Sequence, residues 1–286
     1  MDLIGPPLPP GRHLELPGRG TTFVRVLDGP DDAPTVLLLH GWTATADLNF
    51  CAVLPELAGL YRVVTIDHRG HGRGIRGGGR FRLEDCADDA AAALDELGID
   101  SVIALGYSMG GPVAQLLWRR HADKVAGLVL CATSRNFAGS PMAKVQFGLF
   151  PAFALAARAV PGTMRSRAFA GFLARRNGEM TEWAQHEALL NDPVALAEAG
   201  AAIGRFTSHD WIGQVDVPTA VVVTEYDQVV LPHRQRKLAA AIPGATTHTV
   251  PGEHTVCATH PHLFAPVVRD ALASVTARIR VQAAGG

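Results

Sequence analysis

The sequence has no excess of charge of either sign. Its 26 basic residues are balanced by 27 acidic residues, which leaves a formal net charge of −1. This balance excludes a general electrostatic attraction to nucleic acid or to an anionic membrane, because both attractions need a surplus of positive charge. We therefore expect small molecules as partners and no nucleic acid.

Cysteine is scarce, with four residues at positions 51, 86, 131 and 257. They form no Cys-x-x-Cys pair and no Cys/His cluster with the spacing of a zinc site. We expect reduced and mostly buried thiols, and no bound metal.

Long hydrophobic runs are absent as well. The amino-terminal stretch has prolines at 6, 7, 9 and 10, and it lacks both the basic start and the apolar stretch of a signal peptide. The most apolar helical stretch, Met142 to Val160, contains Lys144, Pro151 and Arg158. It is too short and too interrupted for a membrane span. These features predict a cytoplasmic location and no integral membrane segment.

Short apolar runs alternate with longer amphipathic segments. The runs near 35–39, 61–67, 101–107, 125–131, 219–224 and 246–250 are typical of buried parallel strands. The segments near 47–59, 83–97, 109–121, 232–242 and 261–280 are long enough for crossover helices. The alternation predicts an α/β fold with a doubly wound, mostly parallel sheet.

The alternation fails once, between residues 134 and 209, where Ala, Arg, Phe and Leu recur at helical spacing. This block predicts a helical cap inserted into a core formed by residues 1–133 and 210–286. Because the chain leaves the sheet after one strand and returns before the next, the cap should cover the carboxyl ends of the strands, where open α/β sheets bind ligands. The glycine- and arginine-rich stretch from Arg69 to Arg82 lacks interleaved aromatic residues, and we interpret it as a surface loop.

The sharpest local pattern is Gly106-Tyr107-Ser108-Met109-Gly110, which lies between a predicted strand and a predicted helix. A serine on such a tight turn needs small neighbours, so that the backbone bends sharply and the hydroxyl projects outward. A Gly-x-Ser-x-Gly string also occurs by chance in a chain with 30 glycines, so the surrounding elements decide its meaning.

With these surroundings, the sequence resembles the α/β-hydrolase superfamily, in its branch of small capped bacterial serine esterases, from about Thr22 to Ala273. The resemblance implies that Ser108 is the nucleophile. It also implies that His40-Gly41-Trp42, directly after the strand at 35–39, forms the oxyanion-hole loop, with the backbone N–H groups of Trp42 and Met109 as donors.

A serine nucleophile needs an imidazole base, and that base needs a carboxylate to orient it. Asp227, after the penultimate predicted strand, resembles the family's acid, and His254, after the last strand, resembles its base. The order Ser, Asp, His agrees with this fold. The family usually has glycine where this chain has Thr224, which leaves Glu225 as a minor rival to Asp227.

Other histidines and cysteines have simpler interpretations. We expect His40 to brace its loop, and we expect His68 and His71 to be structural or solvent-facing, because no acidic cluster accompanies them at metal-binding spacing. Cys257 lies close to His254 in the sequence, and we expect it to pack in the core.

Apolar residues are frequent in the predicted cap and indicate an apolar acyl or alcohol pocket. They are Phe147, Leu149, Phe150, Phe153, Leu155, Phe169 and Phe172. Of the residues named so far, we expect Phe147, Phe150, Gly41 and Tyr107 to contact the substrate.

The sequence thus predicts hydrolysis of carboxylic esters with an apolar portion, as in a carboxylesterase, through an acyl-serine intermediate and without a cofactor. Lactonase, thioesterase, perhydrolase and carbon-carbon bond hydrolase reactions on the same residues stay open. So does a non-catalytic ligand-binding protein. Dehalogenase and epoxide hydrolase chemistry fits less well, because the resembling families have aspartate in place of Ser108. The oligomeric state is unknown from the sequence.

Overall fold

A computed structural model of the chain describes residues 5–77, 79–174 and 181–285. It contains an eight-stranded sheet. The strands are β1 (Gly11–Leu16), β2 (Gly20–Leu27), β3 (Thr35–Leu39), β4 (Arg62–Ile66), β5 (Val102–Tyr107), β6 (Val125–Cys131), β7 (Thr219–Thr224) and β8 (Thr246–Val250).

The strand order is β1-β2-β4-β3-β5-β6-β7-β8. The strands from β4 to β8 in this order run parallel, whereas β1 and β2 pair with each other, and β2 pairs with β4, in antiparallel register. The predicted class, a doubly wound and mostly parallel sheet, is confirmed. The sequence pattern does not predict β1 or β2, because they form an edge hairpin with many polar and exposed side chains.

Eleven helices accompany the strands in the described residues. They are α1 (Ala46–Phe50), α2 (Leu54–Leu57), α3 (Leu83–Glu96), α4 (Gly110–Arg120), α5 (Pro141–Ala159), α6 (Gly162–Ala174), α7 (Glu182–Leu189), α8 (Pro193–Arg205), α9 (Pro232–Ala241), α10 (Val256–Thr259) and α11 (Pro261–Gly285). The single helix predicted near 47–59 is in fact two short ones. Pro55 explains the break, since proline lacks the N–H of a helix interior and fits a first turn.

The sheet separates two apolar cores. Successive residues of β3 alternate between them: Leu37 and Leu39 belong to the core under α3, α4 and α9, while Val36 and Leu38 belong to the core under α2 and α11. A strand buried on both faces reads as a continuous apolar run, because neighbouring side chains point to opposite sides. This explains why the central strands were predictable from the sequence.

Helices α5 to α8 lie between β6 and β7, in the segment of residues 134–209 that we call the helical insertion; residues 175–180 of it are outside the described part. An antiparallel bridge between Asn136 and Thr207 brings its two ends together. Phe147 and Phe150 of α5 pack against Gly204 and Gly200 of α8. A Cβ added to Gly204 would lie 2.4 Å from Phe147 Cβ, and one added to Gly200 would lie 2.9 Å from the Phe150 ring. None of the described helices is long and apolar enough to cross a membrane.

Three buried imidazoles form a cluster at the carboxyl end of β3. The ring centroid of His40 lies 4.3 Å from that of His68 and 5.5 Å from that of His71. The Nε2 atom of His40 accepts the His68 backbone N–H at 2.9 Å, so its Nδ1–H donates to the Gly41 carbonyl at 2.8 Å. His40 therefore braces the Gly41 loop, as the sequence predicts.

Burial lowers the pKa of all three imidazoles. The pKa of His68 falls from 6.5 to about 3 through burial and the nearby His71, and burial lowers the pKa of His71 to about 4. The pKa of His40 also falls well below its usual value, through burial first and then through the other two rings. The cluster is thus neutral in the folded protein near pH 7.

The glycines of α8 provide the first test. We expect Gly204→Ala to destabilise the fold by about 1–3 kcal/mol, because its Cβ would overlap Phe147. Gly148→Ala is the control: that position of α5 has open space around it, so alanine should stabilise by about 0.5–1 kcal/mol through helix propensity. Urea unfolding followed by circular dichroism measures both. Equal stabilisation by the two substitutions would contradict the tight α5–α8 contact.

The imidazole cluster provides a second test. An unfolded histidine binds a proton below pH 6.5 while these folded ones stay neutral, so their stabilisation is complete above that pH and decreases as the pH falls toward 4. Burial raises the pKa of Asp67 to about 6, so this carboxyl makes the unfolding free energy decrease as the pH rises. It is one group, against three imidazoles that act in the opposite direction. We expect His71→Phe to flatten the dependence of unfolding free energy on pH, by up to about 1.4 kcal/mol per pH unit. An unchanged slope, matching that of the control at exposed His262 (His262→Gln), would contradict the assignment.

Candidate active site

Ser108 lies at the turn from β5 to α4 with a φ of 51°, in the left-handed region that residues with a Cβ rarely adopt. The flanking glycines make this turn possible. A Cβ on Gly106 would come within 2.2 Å of the Gly110 carbonyl oxygen, and one on Gly110 within 1.9 Å of the Leu39 carbonyl oxygen. The turn is also fixed by Thr133, whose hydroxyl donates to the Ser108 carbonyl at 2.8 Å. The serine hydroxyl is thereby held above the carboxyl ends of β3 and β5.

The structure brings Ser108, His254 and Asp227 together in one hydrogen-bonded chain. The Nε2 atom of His254 lies 2.9 Å from Ser108 Oγ, although the two residues are 146 positions apart in the sequence. The His254 Nδ1 atom lies 2.7 Å from Asp227 Oδ2. In this arrangement Nδ1–H donates to the carboxylate, which leaves Nε2 free to accept the serine proton.

The Asp227 carboxylate is fully buried, and its local partners compensate for the loss of water. Its Oδ1 accepts the backbone N–H groups of Val229 and Val230, each at 2.8 Å. Its Oδ2 accepts the Thr224 hydroxyl at 2.8 Å and the Gln235 amide at 3.2 Å. Thr224, the departure from the family's glycine, therefore supports the carboxylate directly.

Glu225, the rival acid, points elsewhere. Its side chain is more than one-third exposed, and its Oε1 lies 3.9 Å from the Arg236 guanidinium. Of the two carboxylates, Asp227 alone contacts His254 among the described contacts.

The loop of residues 41–45, which we call loop 41–45, abuts the serine turn. A Cβ on Gly41 would lie 3.3 Å from Ser108 Cβ. The Gly41 N–H is already used, because it donates to Asn49 Oδ1 at 2.6 Å. The N–H groups of Trp42 and Met109 donate to no acceptor within the described part of the chain.

The predicted substrate contacts differ in their positions. Phe150 packs edge-on against the Trp42 ring at 5.2 Å, at the junction between the helical insertion and loop 41–45. Phe147 is half-buried beside it, with ring centroids 6.1 Å apart. Leu149, Phe153 and Leu155 are exposed on α5. Leu155 lines a cavity whose lining does not include Ser108, and a substrate pocket formed by these residues stays a prediction. Phe169 is half-buried, and the side chain of Phe172 lies outside the described residues.

Tyr107 also lies elsewhere than the sequence predicts. Its side chain is only 2% exposed, its ring packs against Phe264 in the core, and its hydroxyl donates to the His254 carbonyl. This hydroxyl is therefore occupied in supporting the histidine loop, and the geometry favours that role over contact with a substrate.

Asn49 is a functional candidate that sequence reasoning missed. Its side chain joins Gly41 to Cys257, whose Sγ it contacts at 3.6 Å. No motif marks it, and one of its two partners, Cys257, lies 208 positions away in the sequence. Cys257 itself is buried in the core, as predicted.

Metal ligation finds no support in the described residues, where no group of three or more His, Cys, Asp or Glu side chains is arranged to hold an ion. His68 and His71 belong to the buried imidazole cluster, and the Nε2 atom of each has no hydrogen-bond partner among the residues that the structure describes.

Comparisons with known proteins agree with this architecture. A 132-residue stretch is 37% identical to epoxide hydrolase B of Mycobacterium tuberculosis, covering 44% of this chain but only 36% of that protein. A 103-residue stretch is 38% identical to a bifunctional esterase/perhydrolase of Acinetobacter calcoaceticus, covering 36% of this chain and 37% of that one. The chain thus spans little more than a third of these relatives.

Similarity in three dimensions extends much further. The crystal structure of a hydrolase from Pseudomonas aeruginosa matches 92% of this chain and 98% of its own, with a TM-score of 0.76 and 25% sequence identity. The family model described as alpha/beta hydrolase fold matches residues 34–261. Since that match covers most of the chain and includes the loops of Ser108, Asp227 and His254, the chain belongs to the α/β-hydrolase family.

Proposed function

We propose that the protein is a serine hydrolase that cleaves carboxylic esters through an acyl-serine intermediate. The observation that supports this most strongly is the continuous hydrogen-bonded chain from Ser108 Oγ through His254 to the buried Asp227, at 2.9 Å and 2.7 Å. A serine hydroxyl needs such a series of hydrogen bonds to become a nucleophile at neutral pH.

In the first half-reaction, Ser108 Oγ attacks the ester carbonyl carbon while its proton passes to His254 Nε2. The carbonyl oxygen becomes an oxyanion, which accepts the N–H groups of Trp42 and Met109. When the tetrahedral intermediate collapses, the bond to the alcohol oxygen breaks and His254 gives its proton to the departing alcohol. The acyl group is then esterified to Ser108.

In the second half-reaction, His254 takes a proton from water as the water oxygen attacks the acyl carbonyl. The collapse of this second intermediate releases the carboxylic acid and returns the proton to Ser108. Throughout both steps, Asp227 keeps the His254 ring oriented and stabilises its cation. The scheme uses only these groups and water.

The acyl or alcohol portion of the substrate is proposed to be apolar. Trp42 of loop 41–45 forms an aromatic contact with Phe150. Apolar surface at this place would favour an apolar substituent on the substrate. We further propose that the helical insertion acts as a cap on the core of residues 1–133 and 210–286, because its helix α8 contacts Trp42 beside Ser108.

The partial similarity to an epoxide hydrolase does not change the proposal. Epoxide hydrolase chemistry fits less well, because the resembling families have aspartate at the nucleophile position, where this chain has Ser108. The similarity to an esterase/perhydrolase covers a comparable length and is compatible with an acyl-serine. Lactone, thioester and peracid reactions share that intermediate and differ only in the leaving group or acceptor.

A fluorophosphonate probe tests the nucleophile directly. We expect it to label the native chain at Ser108 and to leave Ser108→Ala unlabelled, because alanine has no hydroxyl to attack phosphorus. Ser101→Ala, at an exposed serine remote from the turn, is the matched control and should be labelled like the native protein. Absence of labelling in the native chain would favour a ligand-binding protein without activity.

Asp227→Asn tests the orienting carboxylate. An asparagine there no longer stabilises the His254 cation or selects its tautomer, so we expect kcat on p-nitrophenyl esters to fall by about 10⁴-fold with little change in KM. Glu225→Gln is the control and should retain native kcat. Measuring kcat/KM of the native protein on p-nitrophenyl esters of increasing acyl chain length also identifies the preferred ester. Comparable losses in both variants would contradict the assignment of the acid.

A further inference from the structure

Loop 41–45 contains a strained residue. Thr43 has a φ of 64°, and a β-branched residue in the left-handed region is rare because its side chain crowds the backbone. Such a conformation persists only where surrounding contacts hold it in place. The loop that presents the Trp42 N–H to Ser108 therefore depends on those contacts.

Contacts from the helical insertion hold the loop at three of its residues, Trp42, Thr43 and Thr45. The Trp42 indole Nε1–H donates to the Leu196 carbonyl at 2.9 Å. The Asn191 side-chain Nδ2 donates to the Thr43 carbonyl at 3.3 Å. The Thr45 hydroxyl donates to Glu187 Oε2 at 2.8 Å. Every one of these partners follows the loop by more than 140 positions in the sequence.

Asn191 lies at the centre of these contacts and is 4% exposed. Besides Thr43, its Nδ2 donates to the Ala188 carbonyl at 2.9 Å, and its Oδ1 accepts the Gly72 N–H at 3.0 Å. One amide thus joins the helical insertion, loop 41–45 and the loop after β4. Because the side chain donates and accepts at once, a carboxylate of the same shape reproduces only the accepting half.

The opposite side of the loop is fixed by the core. Asn49 Oδ1 accepts the Gly41 N–H at 2.6 Å, which removes that amide from the donors available to an oxyanion. The Trp42 N–H lies in the peptide whose carbonyl, that of Gly41, accepts from His40 Nδ1–H at 2.8 Å. Asn191 holds the carbonyl of Thr43, two peptides further along the loop.

We propose that Asn191 is a positioning residue for the oxyanion hole: it keeps Thr43 in its strained conformation, and thereby keeps the Trp42 N–H directed at the oxygen that becomes charged. The inference rests on the proposed function, and it assigns to the helical insertion a role in the chemical step in addition to covering the site. Asn191 itself contacts no substrate atom in this scheme.

The test is Asn191→Asp, which retains the acceptor for Gly72 and loses the donor to Thr43 and to Ala188. For p-nitrophenyl esters we expect kcat to fall about tenfold to a hundredfold with KM nearly unchanged, as for a small misplacement of a catalytic group. A trifluoromethyl ketone, whose adduct with Ser108 carries a tetrahedral oxyanion, should bind more weakly by the same factor as kcat/KM falls. A purely structural defect would not couple these two quantities.

Asn136→Asp is the matched control. Asn136 lies at the other end of the helical insertion, where its side chain accepts from Arg234 and makes no described contact with loop 41–45. It should retain the native kcat and ketone affinity. Trp42→Phe keeps an aromatic ring but removes the indole donor to Leu196, and it tests the same loop by the same readouts if Asn191→Asp does not fold.

The outcomes separate the two proposals. If the native chain neither hydrolyses esters nor reacts with a fluorophosphonate, the proposed function fails and this inference fails with it. If the native chain is active and Asn191→Asp has the native kcat and ketone affinity, the positioning role alone is overturned. A rise in KM with unchanged kcat overturns it as well, because that result assigns the residue to substrate binding.

Discussion

The approach of the serine turn to the end of β3 is the constraint on which the candidate site depends. Gly110 lies so close to the Leu39 carbonyl that no side chain fits between them. This contact fixes the start of α4 against the neighbouring strand and holds Ser108 with a positive φ. Loop 41–45, which continues from β3, is consequently placed beside the serine hydroxyl. Ser108 and loop 41–45 thus share one junction of two parallel strands.

A second constraint is the burial of a carboxylate at the end of β7. Asp227 has no exposure to solvent, and an unpaired charge in such a place would be strongly destabilising. Thr224, Gln235 and two backbone N–H groups supply hydrogen bonds in addition to the one from His254. Asp227 is therefore held by its own loop and helix α9, independently of its contact with His254.

The helical insertion is connected to the core through polar as well as apolar contacts. Glu187 is buried, pairs with Arg73 and accepts the Thr45 hydroxyl, while Phe150 packs on Trp42. A buried charged pair requires well-defined geometry, which favours a fixed orientation of α7 and α8 on loop 41–45. Helix α5, by contrast, leaves Leu149, Phe153 and Leu155 exposed. The part of the insertion nearest to Ser108 is thus the part most firmly held.

The sequence by itself determined the central strands, most helices and the loops that carry Ser108, Asp227 and His254. Strands buried on both faces leave an unbroken apolar run, and a serine turn needs glycines at fixed spacing, so both features are local. The edge hairpin β1–β2 left no such run because its side chains alternate between core and solvent. Only the tertiary structure decided the contacts of Tyr107, Asn49 and Asn191. Tyr107 reaches His254, Asn49 reaches Cys257 and Asn191 reaches Thr43, each across more than 140 positions. Folding of distant segments brings these groups together, and leaving a buried polar group unpaired is costly, so no local pattern of residues encodes the contacts.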